Sequence, residues 1–497
     1  MKRFLALLTV VVVLMPLVAT PAMAEKPFEG VKLVVTTQTG PYIAGPMIEH
    51  GPEWTEKTGG VVEVVETPYG DLYQKIMTSF VTGAGTYDII VVSATWLPDF
   101  TPYLITLDDY IAKPETDPAW EDIMPAFREK IVSWGGKVYA LPFDGDTHSL
   151  FYRRDIFENE EYSEKFKEKY GYELKVPDTF EELWDVAEFF TGWDWTGDGK
   201  EDYGWAQPMM RGTQSHWWFW NFTSAFSVLP GGPDKYHGVL YFDPETMEPL
   251  INQEGFVKGL TLYRDMAKFG PPGMVAWDVS QIRASAPAGN IAMWMEWGSF
   301  PGLCEDPKVA APEMIGNCGT AQRPGSLEVW DRESQSWVKK ARINRVPVMC
   351  FGGWVAAITQ TCKNPDAAYD FIKFMASPEV SIRDVVRGDS GYNVYRFSHV
   401  TNIDAWIKAG FSEQDAKEYL AAVQADMEHP NVLTDLRIPG KPEYVDTVLD
   451  LYVSKALAGE MEPKEALDAI YDEWEKITER LGREAQLKAY RTMLGLE

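Results

Sequence analysis

Residues Gly136 to Phe157, GKVYALPFDGDTHSLFYRRDIF, set Asp144, Asp146, Thr147 and His148 between two apolar, strand-like runs. Carboxylates leave bulk water only when they are hydrogen-bonded or paired, so acids in such a place point to a strand that crosses a cleft and meets a polar ligand there. Asp144 and Asp146 are the first candidate contacts, and the chain reads as one built to hold something.

A second acid-rich segment has different chemistry on offer. Asp194, Thr196, Asp198 and Asp202 place oxygens at positions one, three, five and nine of a calcium loop, with Gly199 at six, but Trp205 stands at twelve where a bidentate Glu is needed. The segment is read either as a structural calcium loop completed from elsewhere or as a plain Asp/Gly-rich turn. Catalytic signatures are missing: there is no HExxH zinc helix and no GxSxG elbow, and the phosphate-loop-like Gly192 to Gly197 continues with Asp198 where Lys is required. The six His are scattered and form no metal pattern, so no cofactor is required. Paired carboxylates for glycoside hydrolysis depend on spatial separation, which keeps a secreted glycan hydrolase open as a rival. A binding protein for a polyamine, peptide or other organic solute is a further alternative.

The chain must deliver these residues outside the cytoplasm. Lys2 and Arg3, the apolar run Phe4 to Val18, and Ala22-Met23-Ala24 form a secretory signal peptide of residues 1–24, too short to span a bilayer, with cleavage expected after Ala24. No cysteine follows the apolar run, so a freely soluble periplasmic protein is expected, without membrane insertion and monomeric. The formal charge of −28 repels nucleic acid and anionic lipid. Cys304, Cys318, Cys350 and Cys362 are an even set in an exported chain; closeness in sequence favours Cys304 with Cys318 and Cys350 with Cys362, against free thiols or other pairings.

Removing 24 residues from 497 leaves more chain than one hydrophobic core organises, so two lobes are expected. Val31 to Thr36, Val61 to Val65 and Tyr87 to Val92 are β-branched runs, each followed by a loop, the first two leading into helical patterns at Ile43 to Lys57 and Leu72 to Val81. That is an α/β lobe. Ligands in open α/β sheets sit off the carboxyl ends of the strands, which nominates Gln38, Tyr42, Tyr69, Thr95 and Trp96 on the three loops. Thr179 and Glu182 form a capping box that opens a helix in a second lobe, and Asn364-Pro365-Asp366 starts another reaching Met375 after the chain returns through Val346 to Thr359.

The segments YGDLYQKIMTSFVTGAGTYDIIVV, GKVYALPFDGDTHSLFYRRDIF, GGWVAAITQTCKNPDAAYDFIKFMASPEV and ALAGEMEPKEALDAIYDEWEKI, in this order and spacing, resemble the solute-binding proteins of ATP-driven importers in their sugar-binding, maltose-binding-like branch. The resemblance implies a two-lobed periplasmic binding protein fold of type II. Residues 25–143 with about 325–388 would form the first lobe, and 144–324 with about 396–497 the second. Two or three segments would cross between them, near Phe143 to His148, Gly319 to Gly325 and Gly388 to Arg396. Carried over by motif, the family's contacts fall on Asp146 with Asp144 beside it, on Trp217 in competition with Trp218 and Trp220, and on Glu296, Trp297, Gly353, Trp354 and Arg396.

A sugar or polyol suits these residue types. Flat rings cover its C–H face, while charged side chains hold adjacent hydroxyls through bonds that strengthen once closure excludes water. The expected partners are therefore a small carbohydrate and an inner-membrane permease of the ABC type. No reaction is expected of the protein itself.

Overall fold

The computed structural model describes residues 26–212, 214–229 and 239–496. The expected leader and its cleavage point lie outside the described residues. The main elements run β1 (Lys32–Gln38), α1 (Ala44–Thr58), β2 (Val61–Thr67), α2 (Tyr69–Thr82), β3 (Ile89–Ser93), β4 (Ala140–Pro142) and β5 (His148–Arg153). They continue through α3 (Phe180–Phe189), β6 (Tyr203–Ala206), α4 (Ser215–Ser227), α5 (Glu254–Asp265), α6 (Val279–Ser285), β7 (Ile291–Trp297) and β8 (Cys318–Ala321). The hairpin β9 (Ser326–Asp331) and β10 (Ser336–Asn344) follows, then β11 (Trp354–Ile358), α7 (Pro365–Ala376) and α8 (Glu413–Met427).

Two sheets divide these strands. The first has the order β2-β1-β3-β11-β4, with β1 parallel to β2 and β3 and with β11 antiparallel to β3 and β4. The second has the order β8-β5-β7-β6, antiparallel except for β6 beside β7. Every residue of β3, β5, β7 and β11 is buried, as expected of strands covered on both faces, and β3, β7 and β11 are near-continuous apolar runs. Helix α1 packs on β2, and α7 packs on α1, β11 and β4, which closes the first sheet's face. On the other side α4 packs on α5, and α8 covers β8. The capping box forms as the sequence implies: Glu182 N–H donates to Thr179 Oγ1 at 3.2 Å, and Thr179 N–H donates to Glu182 Oε2 at 3.2 Å. Among the described residues no helix is long and apolar enough to cross a membrane.

The first crossing lies where expected, at Phe143 to Thr147 between β4 and β5. Its place is enforced by two glycines. A side chain at Gly145 would run into the Val394 carbonyl, and one at Gly353, whose φ is +85°, would run into the Asp144 carbonyl. The second crossing is not at Gly319 to Gly325, because residues 318–321 are β8, hydrogen-bonded to β5. The hairpin β9–β10 packs on α4, so the chain returns to the first sheet through residues 345–353. Within Gly388 to Arg396, Gly391 N–H donates to the Tyr42 carbonyl and Ile123 bridges Arg396, so this segment runs along the first sheet's side before α8 reaches β8.

All four cysteines are free. Cys304 lies buried beside Cys318, the buried first residue of β8. The expected pairing of Cys350 with Cys362 does not form. Cys350 sits against the Trp217 carbonyl at the start of β11, and Cys362 follows the strand's far end. Five extended residues span roughly 15 Å, more than twice the reach of a disulfide.

Candidate functional site

A cavity of about 370 Å³ opens between the two sheets. Its first-sheet wall comes from loops at the carboxyl ends of β1 and β2, which place Gln38, Tyr42 and Tyr69, and from Trp354 at the start of β11. Its second-sheet wall comes from Trp217 in α4, Trp297 at the end of β7, and Arg283 in α6. Asp146 stands on the crossing segment between them.

Two of the ring pairs on the cavity wall meet edge to face rather than stacking. Trp217 and Trp297 have centroids 5.6 Å apart at 68°, and Trp217 and Phe351 are 5.1 Å apart at 84°. Each ring is also held by its edge. Trp297 Nε1 donates to Gln214 Oε1 at 2.7 Å, and Trp217 Nε1 donates to Asp435 Oδ2 at 3.0 Å. The same Asp435 oxygen accepts the Phe351 N–H at 3.2 Å, which steadies a non-glycine residue at φ +65° on the cavity wall.

Asn393 organises the acids. Its Nδ2 donates to Asp144 Oδ1 at 2.8 Å and to Asp146 Oδ1 at 2.9 Å, and its backbone N–H donates to Asp144 Oδ1 at 2.6 Å. Asp144 is fully buried behind the cavity, and Asp146 reaches its surface. Burial pushes the Asp144 carboxyl up to about 6, and burial together with the neighbouring Asp144 charge lifts Asp146 well above the usual carboxylate range. The Tyr69 hydroxyl and Asp144 Oδ2 are buried with no hydrogen-bond partner among the described residues.

Opposite them Arg283 makes a two-pronged ion pair with Glu296, Nε to Oε1 and Nη2 to Oε2, both at 3.2 Å, and Nη2 also donates to Ser299 Oγ at 3.0 Å. Glu296 is itself fully buried; burial pushes it up to about 7 against the pull of Arg283. The Arg283 guanidinium lies 5.2 Å from the Tyr42 ring, so a residue of α6 meets a loop of the first sheet at the cavity's edge.

Gln38, Tyr42, Tyr69, Asp146, Trp217, Trp297 and Trp354 thus line one cavity. The remaining candidates stand elsewhere. Thr95 is buried in a turn with Ser93, and Trp96 stacks behind Tyr69 at 5.4 Å. Asp144 and Glu296 sit one layer behind the surface, and Gly353 contributes close backbone packing. Arg396 requires correction: its fully buried guanidinium donates to the carbonyls of Ala376, Ala119 and Pro118 and pairs with Asp122, so it pins the first lobe's core away from the cavity. Trp218 and Trp220 are fully buried and outside the lining. Arg283, Gln214, Ser299, Phe351 and Asp278 line the cavity without a sequence signal of their own.

The Asp194 to Asp202 loop turns its oxygens inward on backbone. Asp194 accepts the N–H groups of Gly197, Asp198 and Gly199 at 2.6, 3.0 and 2.9 Å, and Asp202 accepts those of Trp195 and Thr196 at 2.9 and 2.8 Å. Among the described residues no group of three His, Cys, Asp or Glu side chains gathers as a metal site.

A model of the family described as bacterial extracellular solute-binding protein matches residues 40–382. A probable amino-acid ABC transporter periplasmic-binding protein of Sinorhizobium fredii is 24% identical over 364 residues, covering 72% of each chain. The mannitol-binding protein of Pseudomonas aeruginosa is 24% identical over 426 residues, covering 83% of this chain and 85% of its own. An ABC transporter solute-binding protein of Agrobacterium radiobacter K84, solved in complex with ribitol, superposes with a TM-score of 0.69 at 24% identity, covering 91% of this chain and 100% of that one.

Proposed function

The chain belongs to the bacterial extracellular solute-binding protein family, and from that membership we propose that it captures a sugar or polyol between its lobes and hands it to an ABC-type permease of the inner membrane. The observation that carries this reading is Asp146 set in a cavity walled by Trp217, Trp297 and Trp354. Asp146 at the cavity surface and the buried Tyr69 hydroxyl, which lacks a partner among the described residues, suit a rim of hydroxyls, and three indole rings suit the C–H face. The cavity volume lies at the small end of ligand pockets, which favours a small solute over a long oligomer.

Binding proceeds by closure. Tyr42 and Arg283 come from opposite walls, and their contact at the cavity's edge is the kind that excludes water as the lobes approach. The protein does no chemistry; it works outside the cytoplasm, as a monomer, and the permease supplies the energy coupling. Mannitol and ribitol, which the relatives' names and complexes carry, head the candidates.

A thermal-shift panel of polyols, monosaccharides, disaccharides, polyamines and amino acids tests this. A ligand at one hundred times its Kd stabilises the folded state by about 2.7 kcal/mol, so the cognate polyol or sugar raises Tm and the others leave it in place. A shift confined to amino acids or polyamines overturns the reading, as does turnover of a sugar in the assay.

A further inference from the structure

The cavity carries three charged side chains, Asp146, Asp278 and Arg283, and their partners decide which solute charge it accepts. Arg283 is the cation lining the cavity among the described residues, and it is already matched: both prongs of its fork are taken by Glu296, and Nη2 also serves Ser299. Glu296 cannot turn away, because it sits fully buried in β7, a strand buried at every position. Asp146 faces the same space with Asp144 behind it, and Asp278 stands at the start of α6, where its Oδ1 accepts the Ser280 and Gln281 N–H groups. A neutral hydroxyl meets donors and acceptors here. A carboxylate meets Asp146 and Asp278 with no unmatched cation to hold it, and taking it out of water without one is strongly unfavourable.

We propose that Glu296, which lies behind the cavity surface, is a specificity-determining residue: by neutralising Arg283 it makes the site accept neutral sugars or polyols and reject solutes carrying a carboxylate, sugar acids and amino acids included. This rests on the sugar or polyol reading above and narrows it by charge. Removing the Glu296 charge leaves a guanidinium on the cavity wall with the geometry to take a carboxylate two-pronged.

The test is calorimetric titration at pH 8, where Glu296 is ionised, of paired probes of like size: D-mannitol with D-mannonate, ribitol with D-ribonate, and D-glucose with D-glucuronate. In the wild-type protein the acid of the pair that binds is at least about one hundred times weaker than its neutral partner. In Glu296→Gln, shown to be folded by circular dichroism, that ratio narrows at least about tenfold, whereas Glu296→Asp keeps the wild-type preference. Wild-type affinity for the sugar acid within tenfold of the neutral partner overturns the proposal while leaving sugar binding intact, and this arm stands whether or not the variant folds. An unchanged ratio in folded Glu296→Gln overturns it equally. Absence of binding by all neutral sugars and polyols, in these pairs and in the panel, instead removes the functional reading on which the proposal rests.

Discussion

Asp144–Asp146 and Asp194–Asp202 are both short, acid-rich and glycine-bearing, yet the fold uses them in opposite ways. In the second segment the carboxylates turn back on their own loop, where backbone N–H groups within seven residues satisfy them. In the first, Gly145 and Gly353 press the backbone into a tight crossing, and the acids find their partner in Asn393, nearly 250 residues further along the chain, while Asp146 keeps a face on the cavity. An acid cluster that feeds on local amides is a turn; one that depends on a distant side chain and retains unmet capacity is poised for a ligand.

The largest expected effect comes from the first segment. Asp146→Ala removes a charge-assisted pair of contacts and lowers affinity for the cognate solute at least about one hundredfold, as titration calorimetry reads, while the unliganded protein melts no lower because a buried acid has gone. Unchanged affinity would erase the distinction between the two segments. The next effect is pH dependence. Asp144 is raised to about 6 in the folded protein against about 3.9 when unfolded, so the folded state binds its proton more tightly. Its contribution to stability is fully present below about pH 4 and is lost as pH rises through about 6. The difference in unliganded Tm between wild type and Asp144→Asn therefore shrinks or reverses from pH 4 to pH 7, and a constant difference would contradict a raised Asp144 carboxyl. Smaller again, Asp194→Ala frees three amides on an exposed loop and costs about 1–2 kcal/mol in denaturant melts with ligand affinity unchanged. Smallest is calcium: chelation with EDTA moves Tm by less than about 1 °C, and a larger fall would return the loop to the metal reading.

The crossing acids were legible because acids amid apolar strand residues need a reason that local sequence cannot supply. The strands β1, β2 and β3 and the helix at Pro365–Ala376 were legible from apolar pattern and caps. Arg283 was not. Glu296 inside IAMWMEW announces that some cation must reach it, but nothing in the sequence says which of many arginines does so. Arg396 failed for the reverse reason: a late arginine fits the family pattern, yet four main-chain and carboxylate acceptors near Pro118–Asp122 and Ala376 claim its guanidinium, and those contacts are long-range. Asp435 likewise gains its part only when the fold sets it beneath Trp217 and Phe351. The hairpin β9–β10 misplaced the second crossing because an antiparallel ribbon on α4 and a segment heading for the other sheet share the same β-rich pattern.

A co-crystal structure with the sugar or polyol that gives the largest thermal shift locates the solute against these side chains. One solute molecule is expected between the two sheets, with adjacent hydroxyls on Asp146 and a C–H face against Trp217, Trp297 or Trp354. Solute bound elsewhere, with Asp146 facing water alone, would contradict it.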